Sequence, residues 1–140
     1  MLFRSTPEQV KIADEIHKRY VAGEDVSQYP FDIVMARKFL RLEQRNAVEA
    51  LKVACVGFGD VAFIGLPGEP FTEIGRQIKA RSPFSMTIPC CNANGSEGYF
   101  PTDDALTNCG YEANSSLFLP GVASGMIETA LDVLQDSFQK

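Results

Sequence analysis

Glu69 stands at the end of an apolar run, in Gly65-Leu66-Pro67-Gly68-Glu69-Pro70-Phe71-Thr72, just before a segment that reads as a helix start. Two tyrosines follow in turn-rich settings, Tyr99 in Gly98-Tyr99-Phe100-Pro101-Thr102 and Tyr111 in Gly110-Tyr111-Glu112. A carboxylate and two phenols facing one another would make a polar site able to hold a metal ion, because a neighbouring cation favours the deprotonated phenol that a ligand must be. The residue types alone leave plainer readings open. An acid beside Pro70 also stabilises a helix dipole, by roughly 0.3 to 1 kcal/mol, with no chemistry at all. Tyr99 could be an aromatic anchor that packs a loop, and Tyr111 a half-buried tyrosine with its hydroxyl in water.

The elements around these residues must do the positioning. Residues 61–66 form a continuous apolar run and residues 47–56 carry Leu51, Val53 and Cys55 on one face, so both read as strands. Gly57-Phe58-Gly59-Asp60 between them is a turn, giving an antiparallel hairpin; no helix follows it, so it is not a nucleotide loop. A helix is expected from Pro70 to Ala80 or Arg81, ended by Ser82-Pro83-Phe84, with a further strand over residues 85–91. The loop from Asn92 to Gly98 is rich in residues that tolerate left-handed backbone and delivers Tyr99. Thr102-Asp103-Asp104 has a capping pattern, which makes Asp103 and Asp104 solvated first-turn charges. Pro120-Gly121 opens the last helix, whose stripe of Val122, Met126, Ile127, Ala130, Leu131, Leu134 and Phe138 is core or subunit contact.

Upstream, Ser5-Thr6-Pro7-Glu8-Gln9 is a helix start, and Val10, Ala13, Ile16 and Tyr20 recur at helical spacing, predicting a helix over residues 7–22 that ends near Gly23. His17 lies at the edge of that apolar face, with no second histidine or cysteine nearby, and reads as a boundary histidine. Residues 33–43 are ambiguous, since Met35, Phe39, Leu40 and Leu42 can be placed on a helix or a strand; periodicity alone favours helix.

A chain of 140 residues with 45% hydrophobic and 22% charged residues is ordinary for one soluble domain, so wholesale disorder is not expected. The net charge of -5 and the lack of a Lys/Arg cluster argue against nucleic acid as a partner. No apolar run has the length of a membrane span, and Met1-Leu2-Phe3-Arg4-Ser5 opens no signal-peptide core, so a cytoplasmic location is expected of the chain as it stands. Cys55, Cys90, Cys91 and Cys109 lack zinc-ribbon or C-x-x-C spacing and read as free thiols, with Cys90 and Cys91 facing opposite ways on a strand.

From about residue 33 to about residue 138 the chain resembles the neutral/alkaline non-lysosomal ceramidase family, in its bacterial ceramidase-like branch. The resemblance rests on Gly59-Asp60-Val61-Ala62-Phe63, Leu66-Pro67-Gly68-Glu69, Gly75-Arg76, Ser82-Pro83-Phe84, Asn94-Gly95 followed by Gly98-Tyr99, and Gly110-Tyr111-Glu112. It implies a zinc-dependent amidohydrolase that cleaves N-acyl amides, with Glu69 and Tyr99 as zinc ligands and Tyr111 donating to the substrate oxyanion. It also favours a strand over residues 33–43. The family's two zinc-binding histidines have no match, since the one histidine, His17, lies in no comparable motif. Phe100-Pro101-Thr102 and Asp103-Asp104-Ala105 stand where the ceramide-cleaving branch has Thr-Thr and then Glu-Glu-Tyr, which leaves the substrate open between a sphingolipid, another N-acyl amide and no lipid at all.

On this reading the chain is the C-terminal part of a catalytic domain, holding half of the metal ligands and inactive alone. The alternative is a binding or oligomerisation module that keeps the scaffold without the metal. Its expected partners are an N-acyl amide or lipid substrate and either another copy of the chain or an upstream catalytic half. The expected fold is α+β, a single domain over residues 1–140. It would have a mixed or antiparallel sheet at about residues 33–91, with the N- and C-terminal amphipathic helices packed on it.

Overall fold

The computed structural model describes residues 5–44, 50–108 and 110–139. The fold is α+β, as expected, and the chain divides into two compact units, Met1–Glu49 and Ala50–Lys140.

The first unit is a pair of helices. Helix α1, Pro7–Val21, starts with a reciprocal capping box: Gln9 N–H donates to Thr6 Oγ1 at 3.1 Å, and Thr6 N–H donates to Gln9 Oε1 at 2.8 Å. Two of the backbone donors that a helix start leaves over are thereby satisfied. Its end is marked by Gly23, at φ +76°. Helix α2, Ile33–Glu43, is capped by Asp32, whose Oδ1 accepts from Met35 N–H at 2.9 Å. Ala13 and Ile16 of α1 bury against Ala36 of α2, with Phe31 and Phe39 meeting edge to face at 5.0 Å in the same cluster. The strand that the family resemblance favours for residues 33–43 is therefore corrected to a helix. Periodicity and the Asp32 cap decide it, because Ala36, Phe39 and Leu40 then fall on the side of α2 that meets α1. The apolar face of the N-terminal helix is used against α2.

The second unit holds the sheet, which consequently begins at Ala54 and not near residue 33. Strands β1, Ala54–Phe58, and β2, Val61–Gly65, pair antiparallel, with Ala54 opposite Gly65 and Phe58 opposite Val61. The expected hairpin turn is the two-residue Gly59-Asp60, and Gly59 has φ +60°, which a glycine adopts without strain. Of the strand expected over residues 47–56, residues 54–56 are in β1 and residues 50–53 are not in a strand, while residues 47–49 lie outside the described part.

After β2 the chain forms a two-residue strand β3, Glu69–Pro70, and helix α3, Thr72–Arg81, before β4, Met86–Cys90, returns parallel to β2. A parallel return needs a crossover of this kind. The sheet is thus mixed, in the order β1-β2-β4. Strand β5, Tyr99–Phe100, and short helices α4, Asp103–Asn108, and α5, Tyr111–Ser115, lead to the long C-terminal helix α6, Val122–Phe138.

Helices α3 and α6 pack on each other, α3 against β4 and α6 against β1 and β2. The core between them holds Ile64, Ile74, Ile78, Ala130 and Leu134, all without exposed surface. Full burial of each such Ile or Leu side chain is worth about 1.5 to 3 kcal/mol. Of the predicted α6 stripe, Met126, Ile127, Ala130 and Leu134 are buried, and Phe138 meets Phe84 edge to face at 5.0 Å. Among the described residues, no helix is long and apolar enough to cross a membrane.

Candidate functional site

Glu69 and Tyr99 are remote in sequence, and the fold makes them neighbours by pairing two short strands. Strand β3 runs parallel to β5 with Glu69 opposite Tyr99 and Pro70 opposite Phe100. Paired residues in adjacent strands send their side chains to the same face, so the carboxylate and the phenol belong to one surface. The bridge continues the β2–β4 pairing. Leu66 N–H donates to Cys90 O at 2.9 Å, Ala93 N–H to Leu66 O at 3.1 Å, Asn92 N–H to Gly68 O at 2.7 Å and Gly68 N–H to Gly95 O at 3.0 Å. Glu69 N–H then donates to Gly98 O at 2.8 Å and Phe71 N–H to Phe100 O at 3.1 Å.

Gly68 is what permits so close an approach. At φ +64°, a Cβ built on it would lie 2.3 Å from Gly98 O and 2.7 Å from Phe100 Cε2. Both are far inside contact distance, and the first is backbone. The Pro67-Gly68-Glu69 motif is therefore a structural device: Pro67 is buried, Gly68 lets two backbones meet, and Glu69 emerges exposed beyond them.

A small apolar floor supports the bridge. Phe100 and Phe118 stack at 4.4 Å between centroids with planes 21° apart, and both are buried together with Leu66, Pro67 and Pro101. Ser116, 1% exposed, joins the floor to the site: its Oγ donates to Tyr99 O at 2.9 Å and accepts from Phe118 N–H at 3.2 Å. A hydroxyl so buried would be costly without partners, and it has both.

Glu69 is not the helix cap that residue type alone allowed. The N-cap of α3 is Phe71, two residues on, and it makes no side-chain capping bond. Glu69 instead lines an open cleft of about 460 Å³ with Pro70, Phe71, Thr72, Glu73, Tyr99, Thr102 and Glu112. Glu73 is engaged by Arg76 at 3.3 Å and Gln77 at 3.2 Å. Tyr111 opens helix α5, is 66% exposed, and sets its ring edge-on to that of Tyr99 at 6.1 Å and 73°. All three predicted residues are thus brought together, Glu69 with Tyr99 by strand pairing and Tyr111 through the Tyr99 ring.

The local field is negative. The Tyr99 phenol is raised above its ordinary value near 10, first by the charge of Glu69, then by partial desolvation, then by Tyr111 and Glu112. Its proton is held more firmly than in a free tyrosine, so at neutral pH Tyr99 is an O–H donor.

Thr102 does cap α4, its Oγ1 accepting from Ala105 N–H at 3.2 Å; Asp103, exposed, also accepts from Gly121 N–H at 2.7 Å and so ties α4 to the start of α6. His17 is partly buried on α1, in the first unit. Cys55, Cys90 and Cys91 are free thiols; Cys90 ends β4 and Cys91 has already left the strand, while Cys109 lies outside the described residues. Sequence reasoning gave no role to Glu112 and Ser116. Glu112 adjoins Tyr111 in the quoted motif and could have been taken with it, whereas nothing in Asn114-Ser115-Ser116 marks the last serine as the buried one.

The donor set does not by itself fit a zinc ion. A catalytic zinc site commonly has three protein ligands, mostly imidazoles, plus a water. Glu69 and Tyr99 offer two oxygens and no imidazole. Among the described residues, no group of three or more His, Cys, Asp and Glu side chains could hold a metal ion. Comparison of the chain with protein-family profiles, curated proteins and solved structures gives no match.

Proposed function

We propose that this chain supplies one part of a ceramidase-like amidohydrolase site acting on N-acyl amides, and that it is inactive alone. The observation that carries the reading is the β3–β5 bridge, which sets Glu69 beside Tyr99 over an open cleft with Tyr111 against Tyr99. In that arrangement Glu69 and Tyr99 present their oxygens to a cation, and Tyr111 presents its O–H to a carbonyl oxygen that gains charge as an amide is attacked. Zinc would supply a hydroxide near neutral pH in a complete site, and two imidazoles from an upstream segment are what this donor set lacks. The substrate class, the metal and the family all rest on the sequence resemblance together with this geometry.

The ring pair of Tyr99 and Tyr111 favours a second reading, a module that binds an acyl amide through its phenols without metal. Calorimetric zinc titration of the purified chain, with Glu69→Ala and Tyr99→Phe as controls, tests the proposal. The expected result is weak zinc uptake that both substitutions abolish, and no amide hydrolysis until a histidine-bearing segment is joined upstream. Zinc uptake unchanged by both substitutions, or acyl-amide binding that zinc leaves untouched, would overturn it.

A further inference from the structure

The two faces of the three-stranded sheet differ sharply in surroundings. On the face covered by α3 and α6, Ala62 and Ile64 are fully buried and Thr87 is 6% exposed. On the other, strand register sets Val56, Phe63 and Ile88 in one row and Phe58, Val61 and Met86 in the next. Val56 is 68% exposed, Phe58 84%, Phe63 45%, Met86 56% and Ile88 37%. A sheet with one face in water ordinarily alternates apolar inward with polar outward. Here the outward rows are as apolar as the inward ones, and no side chain in them carries a charge or a strong hydrogen-bonding group.

The exposed parts of these large side chains add up to several hundred Å². That reaches the upper end of the roughly 300 to 600 Å² of the largest apolar patch on a typical monomer. It is also a major share of the roughly 800 Å² that each partner contributes to a stable interface. We propose that this face is the seat of a second copy of the chain, sheet against sheet, in a two-fold dimer.

The choice of occupant follows from the chemistry of the face. A charged ligand or a polar partner would find nothing on it to pair with, whereas a twisted, pleated, wholly apolar surface fits another of the same kind. A two-fold axis lets one such face meet itself. Phe63 lies at the centre of the patch, paired across the strands with Val56 on one side and Ile88 on the other. An axis passing near it buries all three strands of both copies, with the two sheets about 10 Å apart. The dimer stands independently of the chemistry of the cleft.

Light scattering after size exclusion, over a dilution series, reads the outcome directly. The full chain of 15.4 kDa is expected at twice that mass. Phe63→Lys and Phe58→Lys should each weaken the dimer by at least about tenfold, since each buries an unpaired charge at the interface. Phe58 is so exposed that its lysine variant should fold normally, which circular dichroism checks, and Asp132→Lys on the exposed side of α6 should leave the dimer intact. A wild-type monomer at all concentrations would overturn the proposal, as would a dimer indifferent to both lysines. Open-ended aggregation in place of a defined dimer would overturn it too, because that is the behaviour of a face made for some other partner.

Discussion

The two walls of the cleft are held in unlike ways. The Glu69–Tyr99 wall is sewn together by backbone hydrogen bonds on both sides of Gly68 and rests on the buried Phe100–Phe118 stack. The Glu112 wall is the first turn of the five-residue helix α5, whose N-cap Gly110 supplies no side-chain cap, and Tyr111 beside it is largely in solvent. A helix so short has little stability of its own, because nucleation is costly and few bonds repay it. One wall is therefore held by many bonds and the other by few. Low local stability is common where a ligand must be accommodated.

Substitutions can break that contrast or sharpen it. The largest effect is expected from Gly68→Ala, which places a methyl group inside contact distance of Gly98 O and Phe100 in a left-handed backbone. The second unit should lose about 3 kcal/mol or more by denaturant unfolding, and the firm wall should come to resemble the loose one. A loss under about 1 kcal/mol would show that the bridge does not need its close approach. Next is Ser116→Ala, which removes the partner of Tyr99 O and of Phe118 N–H and should cost about 1 to 3 kcal/mol, measured the same way. Ser116 follows α5 directly, so this change also loosens the connection between the walls.

The smallest effect on stability belongs to Glu69→Gln, which leaves backbone pairing intact. Its readout is the Tyr99 phenol, whose ionisation should move down toward the ordinary tyrosine value when the leading cause of its elevation is gone. Tyrosinate absorbance or NMR titration follows it; an unmoved Tyr99 would mean that the two side chains do not share one surface.

How far these features could be read beforehand varied with the range of the interactions. Helix α1 was legible because a hydroxyl cap, Pro7 and the acidic Glu8 signal its start within a few residues. Helix α2 was not settled, since Met35, Phe39, Leu40 and Leu42 can be placed on either element and the family resemblance favours a strand where periodicity favours helix; the Asp32 cap agrees with the periodicity. The β1–β2 hairpin could be read from Gly57-Phe58-Gly59-Asp60, whereas the parallel return of β4 and the β3–β5 bridge depend on partners distant along the chain. Glu69, Tyr99 and Tyr111 were found as candidates through motifs in order. Ser116 and Glu112 were missed because burial and cleft lining are properties of the assembled chain, and neighbouring residues do not announce them.

The β3–β5 bridge also turns Tyr99 into a reporter on folding. In the unfolded chain its phenol would titrate near the usual value of 10, and in the folded chain it is held higher by a carboxylate that only the bridge brings near. Between those two values the folded chain binds a proton that the unfolded chain has released. Stability from this group is therefore unaffected below pH 10 and falls as the pH rises through the folded value. Refolding just above pH 10 should draw a proton from solution as the bridge closes, so the tyrosinate absorbance that is lost marks the moment at which Glu69 and Tyr99 first meet.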